Sequence, residues 1–568
     1  MSGTFGGFTL VAGCLVLAGV TAGCHRAPAM SADLIIRNAR VFPADGSGTF
    51  AEALAVRGHQ IVAVGKGAAI DTLQGDATRV IDAHGASVTP GFNDAHVHFL
   101  QGSLTLDEVN LLDAERLEQV QEAIRAFAAA HTDRQWVLGF GWLYGAFPGG
   151  LPTRQQLDEL VPDRPAMMDC YDFHTRWVNS KALALAGITR TTPDPPNGQI
   201  VRDPRTGEPT GALKESAAQL MDKVLPKPSR EEKLAALRLG IAEARRLGVT
   251  SVQDADAGAE DLQLFETLRK SGELTLRVYA ALGIHDSFTV ADADRFDSLR
   301  RSYPATPELR LGAVKLFADG VIEAHTAYML APYANRATRG TPNYTASRLN
   351  QMVTLADQRG WQILIHAIGD AGIRMALDAY DSAAAANAVP SRGRRHRIEH
   401  IEAVSAEDIP RFGRMGVIAS MQPMHASPNQ NVLEVWSGNI GRERASRAWA
   451  WKSIKDAGGR LAFGTDWPVV GLDPRPGVHS ALTRQTAAGL PAGGFVPAQR
   501  LPLATVIETY TAGSAYAEFE EAKKGTLSPG MLADIVIWDA DIFALPVDKV
   551  KDAVVATTIF DGRVVYER

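Results

Sequence analysis

The chain is 568 residues long, 46% hydrophobic and 21% charged, with a formal net charge of -6. That length suits roughly two to four folded units, and the apolar content excludes a disordered protein. Basic clusters such as Arg392-Gly393-Arg394-Arg395 are short and isolated, so no nucleic-acid partner is expected.

Phe8 to Ala22 form an apolar, Gly- and Ala-rich run of fifteen residues. It is shorter than the ~20 residues a membrane-spanning helix needs and ends in small residues, as a secretory signal does. Thr21-Ala22-Gly23-Cys24 resembles a bacterial lipobox. Residues 1–24 therefore read as a lipoprotein signal peptide, with Cys24 lipidated and the protein anchored to a membrane on the periplasmic side. The first eight residues hold no Lys or Arg, and Thr21 stands where Leu is usual, so plain secretion or a different start codon stays open. Val11-Ala12-Gly13-Cys14 has the same local look but too little apolar chain before it. Three cysteines make no disulfide framework, and Cys170, inside an apolar run, reads as a small buried residue.

Short strand-like runs follow: Asp33-Leu34-Ile35-Ile36-Arg37, Ala53 to Val56, Gln60 to Val64 and Val80 to Asp82. The far end matches them with Asp534 to Trp538, Val554 to Ile559 and Asp561 to Tyr566. Residues 31–88 and 512–568 are accordingly expected to pair into one small β-sandwich domain, since edge strands need partners. The middle, residues 89–511, alternates strands and helices, the pattern of a parallel sheet covered by helices. Its eight strand runs lie around Phe92–His98, Thr250–Asp254, Leu276–Ala281, Gly312–Phe317, Gln362–His366, Arg397–Ile401, Val417–Gln422 and Leu461–Asp466. The fold class is α/β, a (β/α)₈ TIM barrel, with an inserted subdomain at about residues 100–235 capping one face.

Pro90-Gly91-Phe92-Asn93-Asp94-Ala95-His96-Val97-His98 carries the sharpest signal. Two histidines two apart on a strand point to one face, and neutral imidazoles presented together are common metal ligands. Lys315, His366, His400 and Asp466 recur at the ends of later strand runs, which converge on one barrel mouth. This order resembles the amidohydrolase superfamily, and more narrowly its YtcJ-like branch, which includes N-substituted formamide deformylases. The resemblance rests on the first-strand motif, on Gly312 to Gly320, on Arg397-Ile398-Glu399-His400 and on Gly464-Thr465-Asp466-Trp467-Pro468. Trp177-Val178-Asn179-Ser180 and Gly530-Met531-Leu532-Ala533-Asp534-Ile535-Val536 match as well, so it runs from about residue 33 to the C-terminus.

The resemblance implies one or two divalent metals, commonly zinc, and hydrolysis of a non-peptide C–N bond in a small molecule: an amide, formamide, cyclic amide or carbamate. His96, His98 and Asp466 would hold one metal, and His366 and His400 a second. Lys315, carboxylated by CO₂, would bridge them; otherwise it pairs with Asp319 or another acid, and Glu215 is then the reserve bridging carboxylate. The catalytic role falls to Asp466, taking a proton from water and passing it to the leaving amine. Ester or lactone hydrolysis on the same site and a catalytically dead binding lipoprotein are the alternatives. His396 and His400 also fit His-x-x-Glu-His, which needs a helix; on a strand they lie about 13 Å apart at ~3.3 Å per residue, too far to share a metal. His174, Trp177, Gln422 and His425 are expected to line the mouth and bind substrate. The family usually reads Asp-Gly-His where this chain has Asp172-Phe173-His174, and Trp142, Tyr144 and Trp467 suggest a roomy, partly apolar pocket.

Overall fold

The computed structural model describes residues 31–112, 114–196 and 198–568, with residues 1, 3, 4, 6 and 7. The expected signal peptide, including Cys24, lies outside the described residues apart from those few positions. At the centre stand eight strands: β1 (Phe92–Val97), β2 (Val249–Ala257), β3 (Arg277–Gly283), β4 (Leu309–Phe317), β5 (Gln362–Ala367), β6 (Arg397–His400), β7 (Ile418–Met421) and β8 (Arg460–Phe463). They form one sheet in chain order, and every adjacent pair is parallel. A parallel bridge between Val97 and Trp467 brings the end of β8 back to β1. The architecture is a (β/α)₈ barrel, with all eight strands where the sequence pattern places them.

Burial explains the pattern. Every residue of β1 and β5 is buried, as expected for parallel strands packed on both faces. The covering helices carry their own start signals. The helix Arg230–Arg246 opens on a capping box, with Ser229 Oγ accepting from Glu232 N–H at 3.2 Å and Ser229 N–H donating to Glu232 Oε2 at 2.7 Å.

Both chain ends meet in a five-stranded sheet ordered 40–41, 87–90, 535–538, 555–560 and 563–567. A second sheet of four strands, 34–37, 53–57, 60–65 and 79–82, shares an apolar core with it that includes Ile36, Val56, Val88, Ile535 and Ile559. Between β1 and β2 the chain builds a six-stranded mixed sheet of its own, from 109–110 through 209–215, with an apolar core around Trp142, Met168 and Trp177.

One ion pair ties the end sheet to the barrel. Arg277 of β3, 3% exposed, donates to both oxygens of Asp534 at 2.6 and 2.9 Å and to Asp561 Oδ1 at 2.9 Å. Removing the guanidinium strands buried carboxylate. The expected cost for Arg277→Met is about 3–5 kcal/mol, read as a lower urea midpoint; an unchanged midpoint would show that this clamp adds nothing.

Candidate metal centre

The site is built on the seam where the barrel closes. His96 lies in β1 and His98 just beyond it, their rings 5.5 Å apart. After β8, Gly464 and Thr465 run alongside β1. A Cβ on Gly464 would stand 2.6 Å from Asp94 Oδ1 and 2.6 Å from the His96 nitrogen, so only glycine permits this approach. Thr465 then donates to Asp94 through its backbone N–H at 2.9 Å and its hydroxyl at 2.5 Å. Asp466 N–H donates to the His96 carbonyl at 2.7 Å, and His98 N–H to the Trp467 carbonyl at 2.8 Å. These bonds fix the Asp466 carboxylate against the two imidazoles.

His96 Nδ1 is bonded to Glu399 Oε2 at 2.6 Å. Arg397, wholly buried inside the barrel, holds Glu399 in turn, with Nε at 2.8 Å from Oε1 and Nη2 at 3.1 Å from Oε2. A proton on Nδ1 leaves Nε2 as the free lone pair, and Nε2 lies 3.5 Å from Asp466 Oδ1. His98 Nε2 lies 3.4 Å from the same oxygen. That oxygen is buried and has no hydrogen-bond partner among the described residues. The ligand atoms of His96, His98 and Asp466 all fall within 4.8 Å of one another.

A second group within the same reach is His400, His425 and Asp466. Asp466 Oδ2 is 3.7 Å from His400 Nδ1 and 3.8 Å from His425 Nε2. His366 stands beside this group rather than completing it: its ring is 4.5 Å from that of His400, and its Nε2 is 3.3 Å from the Gly320 carbonyl. Lys315, fully buried, points into the centre with Nζ 3.3 Å from His96 Nε2. Asp319 does not pair with it, being engaged by the backbone N–H groups of Tyr328, Ile368 and Gly369.

Burial sets the charge states that ligands need. It lowers His96 to about 4 and His366 to about 3, with the Lys315 ammonium adding to both shifts. His400 falls well below its ordinary value through burial and neighbouring His366. Burial works the other way on Asp466, but the imidazoles of His96, His98 and His400 hold it well below the usual carboxylate range. Burial also lowers Lys315, favouring the neutral amine. Neutral imidazoles, an ionised carboxylate and an orphaned buried oxygen between them fit a divalent cation.

The other candidates divide. His174 and His425 line a cavity of about 570 Å³ over the centre. Trp177 does not, contrary to expectation: it is fully buried in the core of the inserted sheet, donating from Nε1 to the Thr153 carbonyl. Gln422 is also buried behind the site, where Oε1 accepts from His400 Nδ1 at 2.8 Å and orients that ring. Glu215 is bound to His174 Nδ1 at 2.9 Å and does not reach the metal groups. Trp142, Tyr144 and Trp467 pack away from the cavity, whose aromatic walls are Tyr171, Phe173, Phe317 and Trp449. Phe173 sits at φ 59°, the left-handed region that favours glycine. His396 is bound to Asp357 at 3.0 Å and belongs to neither metal group. Cys170 is fully buried, and burial pushes its thiol well up, against the thiolate form. Glu399 carries no candidate role in the sequence reading, although its alternation with Arg397 on β6 was the available signal.

A profile of the amidohydrolase family matches residues 79–566. The chain belongs to this family. It is 31% identical to Protein LONG AFTER FAR-RED 3 of Arabidopsis thaliana, covering 89% of this chain and 88% of that one. It is 29% identical to the putative amidohydrolase YtcJ of Bacillus subtilis (86% and 91% covered) and 27% identical to the N-substituted formamide deformylase of Arthrobacter pascens (94% and 98% covered). These relatives place it in the YtcJ-like branch. An uncharacterized metal-dependent hydrolase of Pyrococcus horikoshii shares the fold, with a TM-score of 0.71 at 24% identity over 90% of this chain and 99% of that one. The protein is an amidohydrolase whose barrel mouth carries His and Asp groups able to hold a metal ion.

Glu399→Gln should weaken metal retention by about 10–100-fold, the usual effect of losing a carboxylate behind a ligating histidine, measured by competition with a chelator. His396→Ala should leave bound metal unchanged, and full metal loss there would overturn the assignment of His400 to the centre.

Proposed function

We propose that this amidohydrolase cleaves a non-peptide C–N bond, of the amide, formamide, cyclic amide or carbamate kind, at a zinc centre held by His96, His98, Asp466 and His400, with the adjacent His366 turning in as a further ligand when metal binds. The reading rests on Asp466: its Oδ1 is buried without a partner between two imidazole nitrogens at 3.4 and 3.5 Å. The N-substituted formamide deformylase among the relatives supports the C–N bond class. Lys315, buried in the centre and driven toward the neutral amine, is suited to carboxylation by CO₂ and would then contribute a bridging carboxylate. His425, expected from sequence as a substrate contact, lies close enough to His400 and Asp466 to join the ligands or to meet the scissile carbonyl.

A divalent cation there supplies hydroxide from water near neutral pH and polarises the substrate carbonyl. The chain's own groups do the rest. Asp466 accepts the water's proton at Oδ2 and returns it to the leaving nitrogen. His425 Nε2, which has no partner among the described residues, is free to donate to the carbonyl oxygen as charge builds on it. His174 and the inserted sheet close the cavity over the substrate.

Chelation should abolish amide turnover, and zinc with bicarbonate should restore it. Asp466→Asn should cut kcat/KM about 10²–10⁴-fold, the range for a general acid–base group, assayed on formamides, acyl amides, hydantoins and aryl esters. Purified protein with substoichiometric metal that zinc and bicarbonate cannot restore would favour a binding protein instead. We also propose lipidation at Cys24 and a membrane-anchored, periplasmic location, on the lipobox-like Thr21-Ala22-Gly23-Cys24. Cys24→Ala should move the protein from the membrane to the soluble fraction of fractionated cells; membrane retention by that variant would refute it.

A further inference from the structure

The cavity wall facing the metal centre carries an excess of acceptors. Asp172 comes from the inserted sheet, Glu323 from the loop after β4, Glu402 from the turn after β6 and Asn431 from the segment after β7. Glu323 Oε1 is fixed by the Tyr171 hydroxyl at 2.7 Å and by Asn431 Nδ2 at 3.2 Å. Asn431 Nδ2 also donates to the Tyr171 oxygen at 2.9 Å, which fixes the amide with its oxygen turned away from Glu323. Asn431 is only 4% exposed, lines the cavity, and its Oδ1 has no partner among the described residues. The Asp172 Oδ2 is likewise buried and unpartnered.

Both of these unmet atoms are acceptors, and leaving one unpaired costs roughly 1–3 kcal/mol. No arginine lines this cavity among the described residues, and the one lysine, Lys315, belongs to the metal centre. His174 is committed to Glu215 at 2.9 Å; despite burial, that bond together with Asp172 and Glu323 raises it to about 9, and Glu402 likewise raises His425. Burial and the neighbouring Glu402 push Glu323 up to about 8. His425 links this wall to the centre, with Nδ1 3.8 Å from Glu402 Oε1 and Nε2 3.8 Å from Asp466 Oδ2.

We infer that this wall, formed by Asp172, Glu323, Glu402 and Asn431, is a recognition subsite for a protonated amine carried by the substrate a few bonds from the scissile amide. The inference rests on the hydrolase reading above and narrows it. A substrate with an ammonium group offers N–H donors to the orphaned acceptors and adds positive charge beside Asp172, Glu323 and Glu402. A substrate ending in carboxylate meets the like charge of Asp172, Glu323 and Glu402, so N-acyl amino acids with a free carboxylate are disfavoured.

Three formamides of matched length test it on the zinc-loaded enzyme: N-formyl-1,4-diaminobutane, N-formylpentylamine and N-formyl-4-aminobutanoate. The ammonium substrate should exceed the alkyl one by about 10-fold or more in kcat/KM, the scale of one charge-assisted hydrogen bond, with the carboxylate slowest. Glu323→Gln should shrink the ammonium-to-alkyl ratio about 10-fold, and because the ratio is taken within one variant, partial misfolding does not mimic it. Binding of 4-amino-1-butanol, 1-pentanol and 4-hydroxybutanoate, which hold no C–N bond to cleave, is measured in parallel by calorimetry. Turnover of all three formamides without this order overturns the subsite and keeps the hydrolase. Absent turnover, with the amino alcohol bound tightest and weakened by Glu323→Gln, keeps the subsite and overturns the amide chemistry. Absent turnover with no order among the alcohols overturns both.

Discussion

The geometry of this protein depends on how its barrel closes. Two histidines at the end of the first strand become part of a candidate metal site only when the segment after the eighth strand delivers Asp466 to them. That delivery is made by small, specific bonds: Thr465 on Asp94, Asp466 N–H on the His96 carbonyl, and His98 N–H on the Trp467 carbonyl. Gly464 is the steric condition for all of them, because any side chain there would strike the first strand. Closure and ligand placement are thus one event.

Buried charge is arranged around this seam at a cost that the fold carries elsewhere. Arg397 and Glu399 fill the barrel interior where apolar side chains would pack more cheaply, and their return is a fixed tautomer on His96. The backbone is strained at the same place. His400, Ile401 and Asp466 all have positive φ, at 74°, 53° and 67°, conformations that non-glycine residues adopt at roughly 1–3 kcal/mol each. At His400 the left-handed turn follows directly on a regular strand, and its ring lies against those of His96 and His366.

Much of this was readable from residue order alone. Strand period two put His96 and His98 on one face, and the spacing of apolar runs gave eight strands whose ends converge. Those inferences use local rules that burial reinforces. What failed required knowing which side of a ring or a sheet a residue occupies. Gln422 and Trp177 lie near the mouth in sequence, yet one backs His400 and the other fills the inserted core. The distinction between His366 and His425 as partners of His400 depends on loop paths after β4, β5 and β7 that no periodicity encodes. The inserted sheet pairs 109–110 with 137–142 and reaches 209–215 through mixed strand directions, so its hydrophobic pattern resembles neither a simple hairpin series nor a βαβ unit.

The inserted sheet has a consequence for how such an enzyme diversifies. It contributes Asp172, Phe173 and His174 to the cavity while supplying none of the metal-group side chains. Part of the cavity wall is thus encoded on a stretch of polypeptide separate from the metal-group residues. Exchanging residues 109–215 for the corresponding stretch of a cousin would reshape that part of the cavity without disturbing the barrel strands that carry the metal-group residues.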